Sequence, residues 1–92
     1  MSWTLTTTTS FDRTARKFLS KHPQLRQRFT EILTQLTTDP FQPSLRLHAL
    51  SGQLTGLQSI SLTYSYRITL TLQITEHEIL LVDIGSHDTV YR

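Results

Sequence analysis

The sequence predicts an α+β domain with the element order β-α-α-β-β-β, in which two helices pack on one face of a mainly antiparallel sheet. Two observations predict this class. Apolar residues recur at helical spacing in two consecutive segments between positions 11 and 36, and a period of two dominates after Gly56. A chain of 92 residues has room for one hydrophobic core, so we expect a single domain over residues 1–92.

The first half of the chain is predicted to form one strand and both helices. Segment 2–8 alternates apolar residues with threonines, which is typical of a half-buried strand. Ser10 is expected to cap the first helix, whose apolar stripe continues to about Lys21. Pro23 suits the first position of the second helix, because proline lacks only an N–H that is unpaired there. Asp39-Pro40 ends that helix, because the residue before a proline is pushed out of helical geometry.

The second half is predicted to form a loop followed by strands. Positions 40–56 contain two prolines and two glycines, and indicate a connecting loop with a short extended piece over 45–50. Alternating apolar residues then predict strands over 60–64 and 66–74, with a bend near Ser65. The last predicted strand, 79–84, is apolar on both parities, which favours a central position in the sheet.

Alternation along these strands predicts which side chains face the helices. We call the sheet face without helices the open face. Arg67 is expected on the open face. The residues expected to face the helices are Ile68, Leu70, Leu72, Ile74, Leu80, Val82 and Ile84. Those expected on the open face with Arg67 are Ile79, Leu81 and Asp83, continued by Gly85 and His87. The opposite parity of the last strand is the alternative, because both of its sets are apolar.

Composition excludes several classes of protein. The absence of cysteine removes disulfides and thiolate chemistry, and no apolar stretch approaches the ~20 residues of a membrane span. The N-terminus lacks a signal-peptide pattern, so we expect a cytoplasmic protein without a membrane anchor. The net charge is only +2, but six cations fall within sixteen positions, which indicates either a solvated helix face or a surface for an acidic partner or phosphate backbone. They are Arg13, Arg16, Lys17, Lys21, Arg26 and Arg28.

The four histidines are the first candidates for chemistry. His22 flanks the second helix and is interpreted as a surface residue, and His77 falls in a predicted hairpin turn. His48 and His87 each lie near a glycine at the edge of an element, where a ligand can approach. No histidine pair has helical i, i+4 spacing, so we expect no metal site and no cofactor.

An ordered set of motifs runs through nearly the whole chain: Asp39-Pro40-Phe41, His48-x-Leu50-x-Gly52-x-Leu54-x-Gly56, Tyr66-Arg67-Ile68 and Ile84-Gly85-x-His87-Asp88-x-Val90-Tyr91. This set resembles the RelE/ParE superfamily of toxins from bacterial type II toxin-antitoxin systems. It is most similar to the ribosome-dependent mRNA interferases of the RelE and YafQ type. The resemblance implies a RelE-like fold and cleavage of mRNA in the ribosomal A site. It also implies a cognate antitoxin that masks the open face in a hetero-oligomer.

The resemblance also implies roles for five residues. The reaction is attack of a ribose 2′-OH on the adjacent phosphate, which needs an acid, a base and a cation. His87 is expected to act as either the acid or the base, with His48 as its partner in the other role, and Arg67 is expected to hold the scissile phosphate. Tyr91 is expected to stack on a base or orient the phosphate. Asp88 either orients His87 or bonds to its own backbone in a turn.

One departure from the family pattern keeps two alternatives open. The strand before Arg67 has Ser59 and Ser61 where many relatives carry a basic residue or a second histidine. A catalytically weak, antitoxin-binding homologue is therefore one alternative. The other is a ParE-type toxin that binds DNA gyrase, although the His87-Asp88-x-Val90-Tyr91 terminus resembles the RNase branch.

Overall fold

A computed structural model of the chain describes residues 2–86. It confirms the α+β class, with two helices and a five-stranded sheet in the order β1-β5-β4-β3-β2. All strand pairs are antiparallel except β1 with β5. The elements are β1 (Thr4–Thr7), α1 (Thr9–Lys21), α2 (Arg26–Thr38), β2 (His48–Ala49), β3 (Gln58–Ser61), β4 (Tyr66–Gln73) and β5 (Glu78–Ser86), with single 3₁₀ turns at Pro23–Leu25, Pro43–Leu45 and Gly52–Leu54.

The N-cap of the first helix lies two residues before its predicted position, and the helix begins at Thr9. Thr8, not Ser10, is the N-cap: its hydroxyl accepts a hydrogen bond from the Phe11 N–H at 2.9 Å. The prediction of Ser10 was wrong because Thr8 is the residue with extended backbone, φ −84° and ψ 157°, which lets a side-chain oxygen reach the first turn. The buried face of α1 carries Phe11, Ala15 and Phe18, as the apolar stripe predicted.

The second helix begins later than predicted. Pro23 opens the 3₁₀ turn Pro23–Leu25, and α2 itself starts at Arg26. Leu25 has ψ near 1°, so the chain changes direction once more before the regular helix begins. The predicted end is confirmed, because Asp39 is extended and its carboxylate accepts the Phe41 N–H at 2.9 Å.

The core lies between the helices and one face of the sheet. Ile60, Ile68 and Ile84 are direct cross-strand neighbours on β3, β4 and β5, and all three are buried. They pack in one cluster with residues from both helices, including Phe18 and Ile32. Burying each such side chain contributes roughly 1.5–3 kcal/mol. This row therefore ties the sheet to both helices.

A register shift in the β4–β5 pairing corrects the predicted facing of β5. Thr69 pairs with Asp83 but Leu70 pairs with Leu81, so one extra residue of β5 is accommodated between them. The shift reverses the parity of the strand. Ile79 and Leu81 are therefore fully buried on the helix side, and the prediction that placed Leu80 and Val82 there was wrong. The predictions for Asp83, Gly85 and Ile84 hold, because these residues lie beyond the shift: Asp83 and Gly85 pair with Thr69 and Arg67, and Ile84 with Ile68.

Two strand ends also differ from prediction. Ile74, expected to face the helices, follows the end of β4 in the turn before β5 and is 57% exposed. Tyr64, expected to alternate with Ile60 and Leu62 in a strand, lies beyond the end of β3 in the turn that leads to β4. The predicted central position of β5 is confirmed in that it lies between β1 and β4.

Neither α1 nor α2 has the length and apolar composition that a bilayer crossing requires, and the same holds throughout residues 2–86. Each helix has 13 residues, whereas a span needs about 20.

Two adjacent leucines test the parity of β5. Leu81→Ala is expected to lower the free energy of unfolding by about 2–5 kcal/mol, because it leaves a cavity in the core. Leu80→Ala is expected to lower it by only about 1 kcal/mol, because Leu80 is half-buried on the other face. Urea unfolding of both variants measures the difference, and a larger loss for Leu80→Ala contradicts the register.

Candidate functional site

The register of four strands assembles a polar row on the open face. His48 pairs with Ser59, Ser59 with Thr69, and Thr69 with Asp83. Directly paired residues of neighbouring strands point to the same face, so these four side chains lie side by side across the sheet. The next row along β4 contains Ser61, Arg67 and Gly85. The structure thus brings the predicted residues His48 and Arg67 to one face, with β3 between their strands.

The imidazole of His48 is held by the backbone just before it. Its Nδ1 lies 2.9 Å from the carbonyl oxygen of Arg46. A carbonyl only accepts, so Nδ1 carries the proton and donates it. In the neutral ring with this hydrogen bond, the lone pair is on Nε2. Arg46 has left-handed backbone, φ 55° and ψ 45°, at the end of the turn Pro43–Leu45 that leads into β2.

Arg67 holds the turn between β3 and β4. Its Nη1 donates to the hydroxyl of Ser61 and to the carbonyl of Thr63, both at 3.0 Å, and to the carbonyl of Tyr64 at 3.4 Å. The guanidinium therefore has a structural role besides any ligand that it binds. The serine at position 61, noted as a departure from the family pattern, is one of its partners.

The middle of the polar row is closed to solvent although its residues are polar. Ser59 is fully buried and Thr69 is 2% exposed. The hydroxyl of Thr69 has no hydrogen-bond partner within residues 2–86, and buried hydroxyls without a partner are uncommon. Asp83 is half-buried, and its Oδ1 accepts the N–H of Ile84 at 2.9 Å. The carboxylate is thereby fixed at the end of the row.

A pocket of about 260 Å³ opens at the end of this face and is lined by three arginines: Arg28, Arg46 and Arg67. The other lining residues within 2–86 are Ser61, Leu62, Thr63 and Tyr64, so this described part of the lining contains no carboxylate. Arg28 reaches the pocket from α2 and donates from Nε to the carbonyl of Leu62 at 3.2 Å. Three guanidiniums around one small cavity form a site for a phosphate or another oxyanion.

The sequence pattern did not predict that these three arginines line one pocket. Arg28 belonged to the basic cluster, and Arg46 precedes His48 by two residues, but nothing in their spacing indicated that they meet. They converge because α2 and the loop before β2 both approach the end of β3. The bend predicted near Ser65 was the sequence feature that could have indicated an exposed position for the neighbouring Tyr64.

A second pocket, of about 290 Å³, lies between α1 and the ends of β4 and β5. Three rings meet there: Phe18 and Tyr66 have centroids 4.9 Å apart, and His22 lies 4.6 Å and 4.9 Å from them. His22, interpreted as a surface residue that flanks the second helix, precedes the turn that leads into α2 and is half-buried in this cluster. His77 lies in the turn before β5, as predicted, and its ring contacts Trp3 at 4.9 Å.

The remaining predicted residues, His87, Asp88 and Tyr91, lie outside the described residues. Their roles stay predictions.

Solved structures with this arrangement of helices and strands include bacterial toxins. The YafQ structure from E. coli strain BL21(DE3) matches with a TM-score of 0.80 and 12% identity, over 98% of this chain and 99% of that one. The chain has the fold of the RelE/ParE superfamily toxins. The resemblance carried by the sequence motifs is confirmed at the level of fold.

The RelE/ParE fold extends over further toxins. E. coli YafQ in complex with DinJ matches over the full length of both chains, with a TM-score of 0.79 and 14% identity. A metal-bound toxin from Helicobacter pylori is 25% identical, with a TM-score of 0.76 over 98% of this chain and 99% of that one. A YoeB/ParE toxin from Agrobacterium tumefaciens has a TM-score of 0.75 and 14% identity, over 91% of this chain and 98% of that one. No family model and no curated protein sequence matches the chain.

Removal of the Arg67 side chain tests its structural role. Arg67→Ala is expected to lower the free energy of unfolding by about 1–3 kcal/mol, because it leaves the hydroxyl of Ser61 and two carbonyls of the turn without their charged donor. Thermal or urea unfolding measures the loss. Arg26→Ala, a change at an exposed arginine of α2, is the matched control and is expected to stay within about 0.5 kcal/mol of the unaltered chain. Equal stabilities of the two variants would show that Arg67 does not hold the turn.

Proposed function

We propose that the chain is the toxin of a type II toxin-antitoxin system and an endoribonuclease that cuts mRNA on the ribosome. The observation that carries the proposal is the placement of His48 and Arg67 on one face of a RelE/ParE-type sheet. A basic pocket borders that face and suits the phosphates of RNA. We also propose that residues 1–92 act as a single toxin domain in the cytoplasm.

The proposed reaction is a metal-independent transesterification. The 2′-oxygen of a ribose attacks the neighbouring phosphorus, a new 2′-O–P bond forms, and the P–O5′ bond breaks. The base accepts the 2′-OH proton, and the acid donates a proton to the departing 5′-oxygen. The products are a 2′,3′-cyclic phosphate and a 5′-OH end. Acid and base each contribute roughly 10²-fold or more to the rate.

His48 fits the part of the base, because its hydrogen bond to Arg46 leaves the lone pair on Nε2. We assign the acid to His87, which follows the end of β5 by one residue in the sequence. Arg67 supplies positive charge beside the row, where charge builds up on the phosphorane. Tyr91 is proposed to stack on a base or orient the phosphate. Asp88 is proposed to orient His87.

The proposed partner is an antitoxin that covers the open face. E. coli YafQ forms a toxin-antitoxin complex with DinJ, and this chain matches that YafQ over its whole length. Binding there would remove the polar row from RNA and give a hetero-oligomer. The ribosome and mRNA are the proposed targets of the free toxin.

Two histidine variants test the assignment of acid and base. His48→Ala and His87→Ala are each expected to reduce mRNA cleavage at least 10²-fold, because each removes one proton-transfer group. Growth arrest on induction and cleavage of mRNA on programmed ribosomes are the measurements. Circular dichroism and co-purification with the antitoxin are expected to be unchanged.

His77→Asn is the matched control for both variants. It changes a histidine in the turn before β5, and asparagine tolerates the φ of +54° found there. Full toxicity is expected for this control. Growth arrest by His87→Ala or His48→Ala at the level of the control would refute the role of that histidine.

A comparison of two assays separates the proposed activity from that of a gyrase-directed toxin of the same fold. Purified toxin is expected to cut mRNA on programmed ribosomes and to leave DNA gyrase supercoiling unaffected. Inhibition of supercoiling without RNA cleavage would assign the chain to the ParE type. Antitoxin binding with neither activity would identify the catalytically weak homologue, a result that the serines at 59 and 61 make worth testing.

A further inference from the structure

We propose that the arginine pocket and Tyr64 together bind one nucleotide of single-stranded RNA next to the cut, with its phosphate on the arginines and its base stacked on the tyrosine. This inference rests on the proposed function. It adds a subsite that shares Arg67 with the residues assigned to catalysis and otherwise consists of residues without a role in the cut.

The side chain of Tyr64 is positioned to contact a ligand and does not pack in the core. Its side chain is 94% exposed at the turn between β3 and β4, so it contributes almost nothing to the core. It also lines the pocket that the three arginines surround. A tyrosine has a large flat ring and only two side-chain torsions, so it loses little entropy when a flat ligand binds.

The turn that carries Tyr64 is held by several hydrogen bonds. The N–H of Leu62 donates to the carbonyl of Tyr66 at 2.9 Å, and the N–H of Ser65 donates to the hydroxyl of Thr63 at 3.2 Å. Arg67 adds its bonds to the carbonyls of Thr63 and Tyr64. The backbone on either side of the exposed ring is therefore fixed before any ligand arrives, which lowers the entropy lost on binding.

The charge of the pocket favours a phosphodiester. Arg28, Arg46 and Arg67 line it, and within residues 2–86 Arg28 pairs with Glu31 at 3.8 Å. The two side chains of that pair are 40% and 49% exposed, so water screens it and most of the positive charge remains. Guanidiniums beside an exposed aromatic ring match the phosphate and base of a nucleotide. A base within a duplex has no free face, so the strand must be single.

The position of the pocket links it to the proposed site of cleavage. Ser61 and Arg67 belong both to the pocket lining and to the open face, one row from Thr69. His48 lies two strands away from β4, at a distance of about 10 Å given the spacing of strands. One RNA strand can therefore extend from the cut at His48 to a neighbouring nucleotide at Tyr64.

The test is binding of a fluorescein-labelled 2′-O-methyl RNA hexamer to the full chain, since that probe lacks the attacking hydroxyl and is not cut. Tyr64→Ala is expected to weaken binding roughly tenfold, and Tyr64→Phe is expected to bind like the unaltered chain, because base stacking needs the ring and not the hydroxyl. Arg46→Ala is expected to weaken binding and to reduce the salt slope by about 1. Because Tyr64 and Arg46 are exposed, these changes spare the core.

Matched controls remove an exposed ring and an exposed arginine elsewhere. Phe41→Ala and Arg26→Ala lie outside the pocket lining and are expected to leave binding unchanged. An abasic hexamer of equal charge is expected to bind the unaltered chain and Tyr64→Ala equally, because it offers phosphates without bases.

Three results distinguish the inference from the proposed function. If the chain cuts mRNA on ribosomes and the Tyr64→Ala variant binds the hexamer as tightly as the unaltered chain, the subsite is overturned and the proposed enzyme activity stands. Hexamer binding that depends on Tyr64 and Arg46, without cleavage, supports the subsite and overturns the enzyme. Failure of the unaltered chain to bind the hexamer at micromolar to millimolar concentrations overturns the subsite whether or not cleavage occurs.

Discussion

The pairing of β4 with β5 is the constraint on which both faces of the sheet depend. Ile68 pairs with Ile84 on one side of the register shift and Leu72 with Ile79 on the other, and β5 has one extra residue between these pairs. Because of this shift, Ile84 on one side of it and Ile79 and Leu81 on the other are all buried against the helices. On the other face it aligns Asp83 with Thr69. Without the shift, either the core or the polar row would be out of register, so the pairing that stabilises the fold also composes the site.

The helices could be predicted from the sequence because their signal is dense. The apolar stripe of α1 predicts its buried face, and the proline after Asp39 predicts the end of α2. The structure confirms both. The sequence could not predict which side chains of β5 face the helices, because its odd-numbered and even-numbered residues are both apolar. A register shift is also not visible in the composition. His48 was predicted to lie in a short extended piece near a glycine, and the family resemblance implied an acid-base role for it, but its pairing with Ser59 was not predicted.

The arginine pocket shows a different limit of sequence reasoning. Its three guanidiniums come from a helix, a loop and a strand, and they meet only when the chain is folded. The spacing of residues along the chain does not predict that these three side chains lie close together. Arg67 was predicted to bind phosphate, and its bonds to the β3–β4 turn were not anticipated. One side chain thus connects the local geometry of a turn to the charge of the site.

The shortness of β2 has a consequence for the behaviour of the free protein. This strand forms one edge of the sheet and consists of His48 and Ala49 alone. An edge of two residues exposes too few unpaired backbone groups to recruit a strand from another molecule, so it protects the chain from edge-to-edge aggregation. Among the described residues, β2 pairs with β3 through His48 with Ser59 and Ala49 with Gln58. Because this ladder is much shorter than that of β4 and β5, its backbone amides are expected to exchange faster than those of the β4–β5 ladder.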